Sequence, residues 1–350
     1  MLADLSEKQL KEYCLEKGLP SFRGDQLFDA IYSAKTLEEI SNIPKALKDI
    51  IKEDYPCYEI VKELSSKDGT RKYVVKFSDA NIVECVLMKY KYGYTLCIST
   101  QVGCRMGCKF CASTLGGLVR NLSAGEILGQ VLLINRALGG NSRERKITNL
   151  VLMGSGEPLD NFDEVCKFLD LVSAGKGMNI SGRNISLSTC GLVDKIYMLA
   201  EKDYNISLTI SLHATDNTKR AEVMPIANRW SIDEIIKASR DYYNKTKRRI
   251  YIEYTLIKGV NDAKEDVVRL GKLLKGLNCH VNIIPLNSVK ERNLIGTTRL
   301  EAYKFADQLK NAGLSATVRR TMGEDIEGAC GQLRNKMIKE EKAKEIFKKI

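Results

Sequence analysis

Over residues 1–56 the apolar positions recur at helical spacing. Ser6 followed by Gln9 predicts a capping box ahead of a helix that carries Leu10, Tyr13 and Cys14 on one face. A second helix is predicted over 22–32, with Phe22, Leu27, Ala30 and Ile31 turned inward. A third is expected near Pro44, because proline's fixed φ suits a first helical turn. Over 57–94 the period falls to two. KYVVKF, the turn SDAN and IVECVLMKY read as a hairpin or meander, and a further strand, YTLCIST, follows.

From residue 123 onward, strands and helices alternate. Helices are predicted at 123–138, 161–173, 193–202, 231–244, 264–275 and 299–312. Between and after them stand ITNLVLMG, NISLST, ISLTISLH, IYIEYTLIKG, HVNIIPLN and LSATVRR. Counting YTLCIST, the pattern calls for a parallel α/β sheet, either an open curved barrel or a doubly wound sheet. In both, ligands sit at the C-terminal strand ends. The expected organisation is a helical module at 1–56, a β extension at 57–94, the α/β array at 95–322, and a loop with a basic helix at 323–350. No internal repeat or low-complexity linker interrupts it.

Composition changes this picture in two respects. Lys and Arg number 55 against 44 Asp and Glu, a net charge of +11. A basic excess of this kind favours a polyanionic partner such as nucleic acid, although a solvated basic surface gives the same sum. No stretch approaches the roughly 20 apolar residues of a membrane helix, and the polar start MLADLSEKQLKEY has no apolar leader core, so a cytoplasmic protein without a membrane partner is expected. The second respect is the cysteine count, which is 11. In a reducing compartment such thiols are ligands, reagents or core residues rather than structural disulfides.

Cys104, Cys108 and Cys111 form C-x3-C-x2-C on a loop after the strand that opens the array. Structural zinc needs four protein ligands. No second cysteine pair completes such a set, and His213 and His280 are the chain's 2 histidines. A [4Fe–4S] cluster held by three cysteines keeps one iron open, as a catalytic metal requires. Cys97 lies upstream, outside that spacing. Other strand ends offer polar groups: Gly154, Gly156 and Glu157 in VLMGSGEPLDN, Ser188 in LSTCG, Ser211, Leu212 and His213 in ISLH, and Asn287 in IPLN. The two glycines allow backbone to approach a ligand closely, and Glu157 can accept from an ammonium group. Ordinary turn chemistry explains each of these singly.

CRMGCKFC resembles the signature of the radical S-adenosylmethionine (SAM) superfamily. The resemblance implies a partial (β/α)6 barrel, a [4Fe–4S] cluster on Cys104, Cys108 and Cys111, and SAM chelated to the open iron. It also implies SAM contacts at Gly156, Glu157, Ser188, Ser211, Leu212, His213 and Asn287. In the C-terminal stretch VRRTMGEDIEGACGQLR, Cys330 sits among small residues that leave a thiol accessible. GEDIEGACGQL, MGSGEPLDN, ISLHATDNTKRAEVMPI and LIKGVND together resemble the RlmN/Cfr family of RNA adenosine methyltransferases, from about residue 20 to 335. The chain departs from that family's common pattern at Leu286 and Ser288, beside Asn287, and at Cys190. The resemblance implies methylation of adenine C2 in 23S rRNA and tRNA. Cys330 would carry a methyl group as S-methylcysteine, Glu84 would accept the C2 proton, and Cys97 would release a protein–RNA thioether by forming a disulfide with Cys330. Two SAM molecules per turnover, an electron donor such as flavodoxin or ferredoxin, a thiol reductant and a monomeric state are expected with it. Methylation at C8, as in Cfr, and a radical enzyme on a non-RNA substrate are the alternatives. Cys14, Cys57, Cys85, Cys166, Cys190 and Cys279 are expected to be packed or incidental.

Overall fold

The computed structural model describes residues 1–333, so the basic helix expected beyond Leu333 lies outside the described residues. The N-terminal helices are α1 (Glu7–Glu16), α2 (Phe22–Tyr32) and α3 (Lys45–Ile51). The capping box forms as the sequence implies. Gln9 N donates to Ser6 Oγ at 3.3 Å, and Ser6 N donates to Gln9 Oε1 at 2.9 Å. In α2, Leu27, Ala30 and Ile31 are buried, but Phe22 is 51% exposed and stacks under the Arg23 guanidinium. Two residues before the buried Gly24, Phe22 projects from the opposite side of the helix. These helices share one continuous apolar core with the rest of the chain, and the buried Tyr32 hydroxyl donates to Leu171 O at 3.0 Å.

The meander is β1 (Tyr58–Ser65), β2 (Arg71–Phe77), β3 (Ile82–Tyr90) and β4 (Gly93–Cys97), each antiparallel to the next. A short hairpin, β5 (Gln101–Gly103) and β6 (Leu118–Asn121), brackets the cysteine loop. The array continues as α4 (Ala124–Ala137), β7 (Ile147–Leu152), α5 (Phe162–Ser173), β8 (Ile185–Thr189), α6 (Val193–Ala200) and β9 (Ser207–Ser211). Then come α7 (Asn217–Val223), α8 (Ile232–Thr246), β10 (Ile250–Leu256), α9 (Lys264–Leu273), β11 (Cys279–Pro285), α10 (Arg299–Asn311) and β12 (Ala316–Val318). The six long helices of the array fall where the periodicity predicts them, and α7 is an addition.

One 10-stranded sheet runs in the order β1-β2-β3-β4-β7-β8-β9-β10-β11-β12. β4 is its pivot: Cys97 pairs antiparallel with Val86 of β3 and parallel with Val151 of β7. From β4 to β12 every pairing is parallel. Residues at the C-terminal ends of β7, β8, β9, β10 and β11 line one cavity, so the sheet curls into an open barrel rather than lying flat as a doubly wound sheet. Among the described residues no helix is long and apolar enough to cross a membrane.

β3 is buried on both faces from Ile82 to Met88. Val83, Cys85 and Leu87 join the main core, while Val86 and Met88 join a second cluster with Cys97, Met322 and Leu333. The C-terminal loop therefore covers the outer face of the β3–β4 pair, and the alternation expected of a half-exposed strand is lost.

The β5–β6 hairpin depends on two glycines. Gly103 has φ +77°, and a Cβ there would stand 2.0 Å from Gly117 O, the acceptor of the Cys104 N–H at 2.9 Å. Gly117 has φ +66° with nothing within 4 Å of a Cβ. Gly117→Ala is therefore expected to cost about 1 kcal/mol, the left-handed penalty alone. Gly103→Ala is expected to cost clearly more, because the backbone must also move. Urea unfolding midpoints of the two variants check this, and equal losses would contradict it.

Candidate active site at the mouth of the open barrel

The cysteine loop is shaped by its own backbone. Thr114 Oγ1 donates to Cys108 O at 3.0 Å and to Cys111 O at 2.9 Å. Lys109 N donates to Val223 O at 2.9 Å, which fastens the loop to the end of α7. Arg105 Nε donates to Asp160 Oδ2 at 2.9 Å and ties the loop to the turn after β7. Cys104 and Cys108 are buried and Cys111 is partly so. All three line the cavity at the strand ends. Burial pushes the Cys104 thiol up to about 12, and it also raises Cys108 and Cys111, with the neighbouring cysteine charges adding to the rise at each.

The same cavity is lined by Gly154, Gly156, Glu157, Ser188, Ser211, His213 and Asn287. Ser188 and Ser211 hydroxyls lie 3.3 Å apart across adjacent strands. His213, at φ +55°, accepts Thr255 N–H on Nδ1 at 2.9 Å, which places its proton on Nε2. Burial lowers its pKa to about 3, and the nearby Arg220 charge acts in the same direction, so the ring is neutral. Glu157 is buried and accepts Leu159 N at 3.0 Å and Cys190 N at 2.8 Å. Burial raises its pKa against those hydrogen bonds.

Two expectations change here. The glycines do not clear room for a ligand: a Cβ on Gly154 would meet Ile98 O at 2.6 Å, and one on Gly156 would meet Gln101 Cβ at 2.7 Å. They are required by the close approach of the β4 exit strand. Leu212 is wholly buried and does not line the cavity. Its N–H goes to Glu253 O at 3.1 Å, and its carbonyl accepts from Arg220 Nε at 3.0 Å. Cys190, expected to be packed or incidental, is packed in the core and also lines the cavity, Cys14, Cys85, Cys166 and Cys279 are core thiols, and Cys57 is exposed.

Cys330 is exposed, and its loop is docked on the cysteine loop. Ala112 N donates to Gly331 O at 2.7 Å, Ser113 Oγ to Leu333 O at 2.8 Å, and Asn287 Nδ2 to Cys330 O at 3.0 Å. A second cavity adjoins the first. Cys330, Met153, Ile284, Asn287 and Arg319 line both, and Cys97 lines the second. Burial pushes the Cys97 thiol up to about 12; the Cys330 charge adds to this and Arg319 opposes it. Arg319 Nη1 reaches Cys330 Sγ at 3.9 Å and Glu253 Oε2 at 3.4 Å. Sequence alone gives Arg319 no prominence, since the β12 register that aims it is a long-range property.

Glu84 lies on the same face of β3 as Val86 and Met88. It is 6% exposed, and its carboxylate stands 3.1 Å from Lys72 Nζ. The solvent-facing position that strand alternation alone would give it is thereby excluded. Lys72 also donates to Glu327 O at 3.2 Å, so the pair lies beneath the Cys330 loop.

Fold and site together define an open βα-barrel protein with a three-thiol centre at its mouth. The sequence pattern of the Radical SAM superfamily matches residues 98–271. A radical SAM methyltransferase from Sphaerobacter thermophilus, solved as a crystal structure, superimposes with a TM-score of 0.90 at 37% identity, covering 95% of this chain and 99% of that one. "Probable dual-specificity RNA methyltransferase RlmN" of Clostridium perfringens is 52% identical over 343 residues, 97% of each chain. Its namesake in Clostridium acetobutylicum is 47% identical over 98% of this chain and 99% of that one. The chain belongs to the radical SAM superfamily and, within it, to the RlmN family.

Membership implies an iron–sulfur cluster and SAM, and the residues present fit both. Among the described residues no three His, Cys, Asp or Glu side chains close on a single-ion position. Cys104, Cys108 and Cys111 all line the one cavity, and they are three where structural zinc takes four protein ligands. That suits a cluster spreading its thiolates over several irons better than a zinc ion drawn in at about 2.3 Å from each sulfur.

Lys72→Met would take away the cation beside the buried Glu84 carboxylate. The expected loss is about 3–5 kcal/mol, and Lys72→Met/Glu84→Gln should recover most of it. Urea denaturation of both variants measures this, and equal stability of Lys72→Met and the unsubstituted protein would contradict the pairing.

Proposed function

We propose that this protein is a radical SAM RNA methyltransferase that methylates C2 of adenine in 23S rRNA and tRNA. The observation that carries the reading is the position of Cys330, in the wall between the three-cysteine cavity and the pocket of Cys97. The names of the relatives support RNA as substrate, and the net charge of +11 suits a polyanion. The helices of residues 1–56 carry 8 Lys and Arg against 11 Asp and Glu and add nothing to that net charge; they are assigned to RNA contact on the family likeness. Domain limits at 56, 94 and 322 follow the same reading.

Bound at Cys104, Cys108 and Cys111, the cluster with SAM supplies the radical chemistry. Gly156, Glu157, Ser188, Ser211, His213 and Asn287 form the SAM pocket around it, and Leu212 contributes by holding that wall in place. Adenine C2 is electron-poor and cannot displace a methyl group from SAM by itself, so the methyl is first carried as a thioether on Cys330. The S-methyl group would give up one hydrogen atom to the radical that SAM supplies, its carbon would bond to C2, and the adduct would lose one electron to the cluster and its C2 proton to Glu84. Cys97 then attacks the Cys330 sulfur as a thiolate. The S–S bond forms, the Cys330 S–C bond breaks, and the released pair takes a proton to complete the methyl group. A thiol reductant returns the Cys97–Cys330 disulfide to two thiols, and a flavodoxin or ferredoxin supplies electrons. A monomer in the cytoplasm is assigned.

Incubation of RNA with the reconstituted enzyme, SAM and a reductant should add one methyl group at adenine C2, read by mass spectrometry of nucleosides. Methylation at C8 would replace the proposal with the Cfr-like reaction. Cys97→Ala should trap a covalent protein–RNA adduct through Cys330, and normal turnover by that variant would remove Cys97 from the mechanism.

Decay of the adduct should also depend on pH. With burial holding Cys97 up to about 12, its thiolate fraction rises about tenfold per pH unit below that value. The Cys330 charge disappears in the thioether while Arg319 remains, so the break in the profile should fall below 12. A flat single-turnover profile from pH 7 to 9 would contradict attack by a buried thiol.

A further inference from the structure

Arg220 on α7 is 0% exposed, the most voluminous of the fully buried side chains. A guanidinium in the interior is normally matched by a carboxylate, because an unpaired buried charge is costly. Here Nε donates to Leu212 O at 3.0 Å, and Nη2 donates to Cys190 O at 2.6 Å and Ser211 O at 3.2 Å. All three acceptors are neutral carbonyls. Nη1 is buried with no hydrogen-bond partner. Burial lowers the Arg220 pKa, and the only groups countering this are the thiols of Cys190 and Cys108. The helix that carries Arg220 is itself packed on the cysteine loop. Lys109 N is bonded to Val223 O at the end of α7, and Gly107 is packed against Pro225, whose ring would lie 3.3 Å from a Cβ at that position.

We propose that Arg220 is the counter-cation of the iron–sulfur cluster, a positioning and potential-setting residue whose buried Nη1–H has no hydrogen-bond partner among the described residues. The inference rests on the cluster reading above. Three thiolates on a doubly positive four-iron core sum to one negative charge, and one-electron reduction makes it two. A buried cation beside the centre therefore favours the reduced form, since net charge and hydrogen bonds to sulfur set such potentials. Cys108 and Cys111 have different neighbours in this respect. Arg292, bonded to Thr114 Oγ1 at 3.0 Å, acts on Cys111, and Arg220 acts on Cys108.

The test is an EPR-monitored redox titration of anaerobically reconstituted protein without SAM. Arg220→Gln should lower the reduced-to-oxidised ratio at fixed potential by tenfold or more, about 59 mV for one electron. Arg220→Lys, which keeps the charge but loses the fork, should stay nearer the unsubstituted value. Equal potentials for all three proteins would reduce Arg220 to a strut for three carbonyls and overturn the proposal. A second readout needs no change at Arg220. In protein labelled with 15N-arginine and carrying Arg292→Lys, the reduced cluster should show guanidinium nitrogen coupling by pulsed EPR, and its absence would overturn the proposal. A protein that takes up no iron would remove the cluster reading itself and this inference with it; iron uptake with an unchanged potential would remove the inference alone.

Discussion

The site is organised by the contact between two loops far apart in sequence, sealed by Ala112 N–H on Gly331 O at 2.7 Å and Ser113 Oγ on Leu333 O at 2.8 Å. Neither bond carries chemistry. Together they set Cys330 beside the cavity of Cys104, Cys108 and Cys111 while leaving its sulfur exposed. Docking the loop also buries Met322 and Leu333 against Val86, Met88 and Cys97, so the apolar contact that holds the loop is what desolvates Cys97. One packing event thus produces an accessible thiol and a buried thiol on either side of Arg319.

That asymmetry matters for thiol chemistry. A thiolate is the reactive form, and desolvation suppresses it at Cys97. A thiol permanently ionised at that position would compete for methyl transfer and for metal. Desolvation guards Cys97 against both, with Cys330 lining the same pocket. Arg319 is common to both sulfurs and is itself anchored by Glu253 at 3.4 Å, so the positive charge stays in place when the state of Cys330 changes. In the mechanism proposed above, covalent change at Cys330 would alter the surroundings of Cys97 and so order the two steps.

Much of this arrangement was legible in the sequence because it depends on local signals. Capping boxes at Ser123/Glu126, Ser231/Glu234 and Thr298/Glu301 start three of the array's helices where periodicity places them. The C-x3-C-x2-C loop and the small-residue surroundings of Cys330 are equally local. What stayed hidden depends on pairing across the fold. Lys72 meets Glu84 only because β2 and β3 are antiparallel in the register that sets Val74 opposite Glu84. The demand for glycine at 154 and 156 comes from Ile98 and Gln101, on a neighbouring segment. Phe22 and Leu212 show the limit in the other direction. Apolar character marked Phe22 for the core, but its helix phase puts it outside. Leu212 shares the ISLH motif with two residues that do line the cavity, but strand alternation sends its side chain into the core.

The buried polar groups follow one rule across the site: each is either neutral by burial or opposed by a fixed charge. His213 is kept neutral, and its Nδ1 is occupied by Thr255 N–H. Glu157 is raised toward neutrality yet held by two backbone donors, which leaves it able to receive a cationic group without rearrangement. Glu84 has Lys72, and Arg319 has Glu253. Arg220 departs from the rule, with its charge met only by carbonyl dipoles and thiols. A fold that neutralises its other buried charges so consistently does not keep a bare guanidinium beside Cys190 and Cys108, the second of the three loop cysteines, at no cost. An anionic centre held by the loop cysteines would bring Arg220 under the same rule, which is the strongest purely physical ground for placing one there.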